Sequence, residues 1–277
     1  RDNQEAADLH PQAFRLAEEL SLPVMVCMDG FVLTHAWERI EVPEQAEVDA
    51  FLPPYEPRQV LDPEEPVSIG AMVGPDAFTE VRYLAHAKQM QALEAIPRVA
   101  GEFREVFGRG SGGLLHPYAC EDAETIVVAL GSVFGTVCDV VDEMRERGVR
   151  IGALAITSFR PFPLDAVRDV LGGARQVVVL ERALAVGIGG IVSANVRTAL
   201  SGIQLDGHTV VAGLGGRPIT KASLHRLFDD ALAGRLEPLT FLDLNTELVE
   251  RELARMARTR RSGPSAENIL RDAGSNR

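Results

Sequence analysis

Cysteine is scarce in this chain. Cys27, Cys120 and Cys138 are the only three among 277 residues. An odd count fits no disulfide framework. No two are spaced Cys-x-x-Cys, and three thiols fall short of the four that hold a typical iron–sulfur cluster. They read as free, reduced thiols of a cytoplasmic protein. Excess positive charge is also lacking: the net charge is -12 and the isoelectric point is near 5.0. That excludes a nucleic-acid or anionic-membrane binder, because phosphate contacts need a basic surface. No run of 18 apolar residues is present, so no transmembrane helix is expected. The start of the chain lacks a basic stretch followed by an apolar one, so no signal peptide is read there.

What the chain does contain begins with a helix pattern over Ala6 to Leu20. An apolar, strand-like run from Leu22 to Met28 follows, with Cys27 as small core filler, and then Asp29-Gly30-Phe31 and Thr34-His35. One helix and one strand cannot make a core. Residues 1–40 are therefore expected to close a domain that starts upstream, and the absence of an initiator Met fits that expectation. Residues 41–75 carry Pro43, Pro53, Pro54, Pro57, Pro63, Pro66 and Pro75 among acidic residues and read as an extended connector. Within it, Phe51-Leu52-Pro53-Pro54-Tyr55 is apolar enough to lie on a protein surface. Residues 77–107 read as one or two helices, ended by Gly108-Arg109-Gly110-Ser111-Gly112-Gly113. That loop is no phosphate loop, since no strand precedes it and no Lys-Ser/Thr follows.

From Glu121 the pattern is regular. Strands are expected over 125–130, 149–156, 176–180 and 208–212. Helices are expected from Ser132 to about Arg147, Pro163 to Leu171, 190 to Leu200, and Thr220 to Ala233. Strict alternation of buried strand and helix gives an α/β fold, a doubly wound parallel sheet. A helix near 248–258 and a loosely ordered stretch over 259–277 complete the chain.

The carboxyl ends of parallel strands are where such sheets bind ligands. Here they carry Gly131-Ser132, Thr157-Ser158-Phe159-Arg160, Glu181-Arg182 and Gly213–Gly216. The bland reading is that these are turn and cap residues. Ser132 lacks the Gly-x-Ser-x-Gly elbow of a hydrolase nucleophile and reads as a helix cap. Neither Gly187-Ile188-Gly189-Gly190 nor Gly213-Leu214-Gly215-Gly216 matches the dinucleotide fingerprint; both read as close-packing glycines. The six histidines show no ligand spacing, so no metal site is expected. His35 stands out because it follows Asp29 in a loop after an expected strand end. A structural hydrogen bond and a catalytic role both stay open for it.

Four ordered stretches carry a resemblance: Asp2-Asn3-Gln4-Glu5; Pro23 to Phe31 with Thr34-His35; Phe159-Arg160-Pro161-Phe162-Pro163; and Gly213-Leu214-Gly215-Gly216-Arg217 with Thr220. Phe51 to Tyr55 fits as well. In this order they resemble the alpha chain of the pyruvate:ferredoxin oxidoreductases, within the wider 2-oxoacid:ferredoxin oxidoreductase family. The resemblance implies a thiamine diphosphate enzyme that cleaves a 2-oxoacid, pyruvate being the one expected, oxidatively to an acyl-coenzyme A, with electrons passing to ferredoxin. It implies a remnant of the pyrimidine-binding domain over 1–40, a connector with helices over 41–120, a domain resembling the transketolase C-terminal domain over 121–235, and a tail over 236–277. It implies beta-, gamma- and delta-type partner subunits, with Mg2+ and iron–sulfur clusters held on other domains or subunits. The family's pyrimidine-contacting glutamate and its substrate-binding threonine and arginine lie upstream of Asp2, so no catalytic residue is expected within 1–277. Asp29 and His35 are left as candidates for the site wall. Glu181-Arg182 stands where the family often has Asp-Arg, and Arg217-Pro218 where Arg-Asp is commoner. Two other readings stay open: a non-catalytic ligand-binding or assembly module on a doubly wound fold, and the beta component of a 2-oxoacid dehydrogenase.

Overall fold

Thr125–Ala129 (β2) is buried at every position, as an apolar run covered on both faces must be. In the computed structural model, which describes residues 1–258 and 265–274, β2 is an inner strand of a six-stranded sheet. The others are Leu115–Tyr118 (β1), Ile151–Ile156 (β3), Gln176–Glu181 (β4), Asp206–Val211 (β5) and Leu239–Phe241 (β6), in the order β1-β3-β2-β4-β5-β6. β2 pairs in parallel with β3 and β4, and β4 with β5. β1 runs antiparallel to β3, with Leu115 opposite Ile156. The parallel arrangement expected from the alternating pattern is present.

Helices cover both faces. Alternate side chains of a strand point to opposite faces. Ile126, Val128, Leu154, Val177 and Val179 pack with Val167 and Leu171 of Leu164–Leu171 (α6) and with Val192 and Val196 of Ile191–Ala199 (α7). The intervening residues Val127, Ala153 and Val178 serve the other face, where Val133–Glu146 (α5) and Lys221–Leu232 (α8) bury Val137, Val141, Leu224 and Phe228. Gln176 on that face donates to the Ala231 carbonyl at 3.1 Å, satisfying a buried amide. Thr220 caps α8, its side chain accepting from Ser223 N–H.

Ahead of the sheet lie Asn3–Leu20 (α1), Val32–His35 (α2), Gln45–Phe51 (α3) and Phe78–Phe107 (α4). Asp2 caps α1 by accepting from Glu5 N–H. Leu20 packs with Ala92 and Ala95 of α4, and Phe51 with Val99 and Phe103. Those contacts explain why the Phe51-Leu52 stretch is apolar. Between 53 and 77 no helix or strand forms.

Three expectations need correction. Leu22 to Met28 is extended but pairs with no strand, and Met25 is 84 % exposed. An apolar run becomes a strand only with a ladder partner, and none of the described residues supplies one. Cys27 is accordingly exposed rather than core filler. The expected loose order fails over Ser265–Gly274 (α10), which is helical, and residues 259–264 and 275–277 lie outside the described residues. Arg1–Thr240 and Phe241–Arg277 form separate compact units. Within the second, Arg251 Nε of Thr246–Arg258 (α9) lies 3.5 Å from Asp272 Oδ2 of α10.

Candidate functional site

After β2 the chain crosses to β3 on one side, and after β3 it returns to build β4 on the other. The strand order therefore switches beside β2, which in an open α/β sheet places the ligand crevice past the carboxyl ends of β2 and β4. Gly131-Ser132 lies on one side of that crevice and Glu181-Arg182 on the other.

The N-terminus of α5 directs its first backbone N–H groups there, a natural seat for an anion. Ser132 does not cap this helix with its side chain. The cap comes from 103 residues away: Asp29 Oδ2 accepts from Ser132 N–H at 2.6 Å. The same oxygen lies 2.8 Å from Arg182 Nη1, with both side chains about one-fifth exposed. Arg182 Nη1 also approaches Ser132 Oγ, at 3.4 Å. Gly131, at φ +74°, is required: a Cβ built on it would stand 2.7 Å from Asp29 Oδ1.

His35 does not meet Asp29. Its ring is exposed, bonded at Nδ1 to Thr34 Oγ1 at 2.8 Å and stacked on Phe31 with centroids 5.1 Å apart. Phe31 itself has φ 66° and ψ -56°, and Val32 N–H donates to the Gly30 carbonyl at 2.9 Å. This is a γ-turn in its rare, strained form. A Cβ on Gly216 would lie 3.8 Å from the Phe31 ring, so the Gly213–Gly216 turn borders the same corner.

On β4, Glu181 is 1 % exposed, and its Oε1 accepts from Ser193 N–H at 2.6 Å and from Ser193 Oγ at 3.0 Å. The second helix N-terminus at this crevice, that of α7, is thus also met by an internal carboxylate. Periodicity gave no sign of either cap, because the contacts span 103 and 12 residues, beyond the reach of a local capping pattern.

A second polar cluster joins α1 to the Gly108–Gly113 loop. Asp8 is fully buried at its carboxylate and accepts from Arg109 Nε and Nη2 and from Ser111 Oγ. Glu5 lies beside it, 3 % exposed. Burial pushes its carboxyl up, but the His116 ring and the Arg1 guanidinium outweigh that and hold it well below the usual carboxylate range. His116 Nε2 stands 3.3 Å from Glu5 Oε1, off the alignment of a good hydrogen bond. The glycine-rich loop therefore serves packing: a Cβ on Gly112 would strike the Gln12 amide at 2.4 Å.

Sequence comparisons agree with this architecture. The family model described as pyruvate:ferredoxin oxidoreductase core domain II matches residues 123–224. The model described as the thiamine diphosphate-binding domain of pyruvate flavodoxin/ferredoxin oxidoreductase matches residues 1–100. Pyruvate synthase subunit PorA of Methanosarcina barkeri is 40 % identical over 259 residues, which cover 90 % of this chain and 64 % of that protein. PorA of Thermotoga maritima is 39 % identical over 243 residues, covering 84 % and 61 %. Ketoisovalerate oxidoreductase subunit VorA of Pyrococcus horikoshii is 32 % identical over 232 residues, covering 83 % and 59 %. The chain belongs to the pyruvate:ferredoxin oxidoreductase family, on the alpha-subunit side. It spans just under two thirds of the length of these relatives, 64 % of the first.

The described residues do not fit the diphosphate or metal of the cofactor. The anion seat at the switch point is filled by Asp29, whose charge opposes a second anion there. Among the described residues no three His, Cys, Asp or Glu side chains converge to hold a metal ion. No helix among them is long and apolar enough to cross a membrane.

Proposed function

We propose that this chain is a component of a thiamine diphosphate-dependent 2-oxoacid:ferredoxin oxidoreductase that converts pyruvate to an acyl-coenzyme A and passes electrons to ferredoxin. The observation that carries the reading is the tandem of family matches, 1–100 followed by 123–224, in one chain. Pyruvate is favoured over branched 2-oxoacids by identity, 40 % to a pyruvate synthase subunit against 32 % to a ketoisovalerate one.

Within that enzyme the cofactor supplies the electron sink for decarboxylation. This chain acts as a structural and subunit-assembling part and is inactive alone. Mg2+ and the iron–sulfur clusters sit on other domains or subunits, and beta-, gamma- and delta-type subunits complete the assembly in the cytoplasm. Residues 1–40 are the closing part of the cofactor-binding domain, 41–120 a connector, 121–235 the transketolase C-terminal-like domain and 236–277 a tail. Asp29 and His35 belong to the wall of the site. The half-buried anchoring of Asp29 and the exposed, stacked ring of His35 support that placement.

The test is pyruvate-dependent reduction of a viologen dye, with coenzyme A, by the chain assembled with its partner subunits and with the family's cofactor-contacting segment. Turnover with pyruvate is expected. A properly assembled complex without it overturns the reading.

A further inference from the structure

We propose that Asp29 is a positioning residue, a clasp that fixes the Phe31–His35 corner to the sheet through Ser132 and Arg182. Three observations meet at this point. First, the stretch from Leu22 to Met28 pairs with no strand among the described residues, so regular structure there does not hold the chain as it approaches the corner. Second, Asp29 ends that stretch with its carboxylate between the Ser132 N–H at 2.6 Å and the Arg182 guanidinium at 2.8 Å. A charged acceptor on a helix N-terminus and an ion pair on the same oxygen reinforce each other. Third, two residues on, Phe31 holds φ 66° and ψ -56°. A side-chain-bearing residue keeps such a conformation only where its surroundings over-determine it.

The corner is well defined past the clasp. Phe31 N–H donates to Thr34 Oγ1 at 3.0 Å, Leu33 is 7 % exposed, and the His35 ring stacks on Phe31 at an interplanar angle of 23°. Asp29 reaches none of these groups. It acts through them, setting where Phe31 and His35 stand relative to the carboxyl ends of β2 and β4. The glycine at 131 belongs to the device, because any Cβ there would expel the carboxylate. In effect, the seat that an open α/β sheet offers to a ligand's anion is used here to moor a neighbouring segment of the same chain.

The enzyme reading above supplies the corner's purpose, but the clasp is tested without it. Hydrogen exchange of the peptide covering 29–36, and the fluorescence anisotropy of Trp37, the single tryptophan of the 277-residue chain, report on the corner. Asp29→Asn and Arg182→Met are each expected to speed exchange about tenfold, the loss of one charge-assisted contact. Arg182→Lys, which keeps the cation, stays within about threefold of wild type on the same grounds. The double variant Asp29→Asn with Arg182→Met exceeds either single by less than about twofold, since the two share one interaction. Rates within about twofold of wild type in both single variants, or effects that multiply in the double, overturn the clasp. Should Asp29→Asn fail to fold, judged by far-ultraviolet circular dichroism, the contrast between Arg182→Met and Arg182→Lys decides alone. In the assembled oxidoreductase, a loosened corner with unaltered turnover supports the clasp and counts against placing the corner at the site.

Discussion

Arg109 grips Asp8 with two nitrogens, Nη2 at 2.7 Å from Oδ1 and Nε at 3.0 Å from Oδ2, although 101 residues separate the two in the chain. The carboxylate has no solvent exposure and the guanidinium is only 23 % exposed. Removing the cation strands a buried charge, which costs far more than the pair contributes net. Arg109→Ala is expected to lower unfolding stability by about 3 kcal/mol, and the α1–loop contact with it. Arg98, 43 % exposed between Glu19 and Glu102, is the contrast. Arg98→Ala is expected to cost under about 1 kcal/mol. Urea titrations of the two variants beside wild type make the comparison; equal losses would refute it.

Glu181 and Gly190 share one small space. A Cβ on Gly190 would stand 2.2 Å from Glu181 Oε1 and 2.1 Å from Ser193 Oγ. Its φ of -100° suits any residue, so the demand is for room alone. Gly190→Ala is expected to push the carboxylate off Ser193 and cost about 2 kcal/mol, close to Glu181→Ala, which leaves the same N–H unmet. Because both lose one contact, the double variant should be no worse than the harsher single by more than about 0.5 kcal/mol. Additive losses in chemical denaturation would argue against the shared cause.

The lowered carboxyl of Glu5 ties stability to acid. A group whose folded pKa lies below its unfolded value stabilises fully above the unfolded value, here 4.5, and loses that contribution as pH falls toward the folded one. Wild-type stability is therefore expected to fall progressively as pH drops below about 5, a fall that Glu5→Gln flattens while lowering stability at pH 7. Urea midpoints across that range read it. Parallel pH curves for the two proteins would dismiss Glu5 as a contributor.

Thiol reactivity should separate the cysteines. Cys27 is exposed. Burial pushes the Cys138 thiol up to about 11, and burial raises Cys120 as well. The thiolate is the reactive form, and each unit of pKa removes about tenfold of it. Iodoacetamide at pH 8 should modify Cys27 at least about tenfold faster than Cys138 in the folded chain, as peptide mass spectrometry would show. Comparable rates would mean that the exposed segment is covered in solution.

The alternating part of the fold was readable because each element there writes its own signal. Val127 and Val178 lie in the short apolar runs 126–130 and 177–180, as expected of strands covered on both faces. Thr220 announces α8 by its capping chemistry. β1 was not readable, since His116-Pro117 looks like a turn until Ile156 and Leu154 are placed opposite it. The Leu22 to Met28 run misled for the reverse reason: it has the composition of a strand and no partner. At the crevice, Gly131-Ser132 and Glu181-Arg182 were located by their positions after strands. That Asp29 would sit between them depends on a contact across 103 residues, which no local pattern records.

Pro117 is exposed on β1 and lies opposite Leu154 of β3. A proline has no N–H to offer a newcomer, and the opposite border strand, β6, is only three residues long. Sheet extension from one copy into the next is discouraged at both margins. A companion protein that joins this one is therefore expected to do so chiefly through side chains on its faces and corners, with little main-chain annexation.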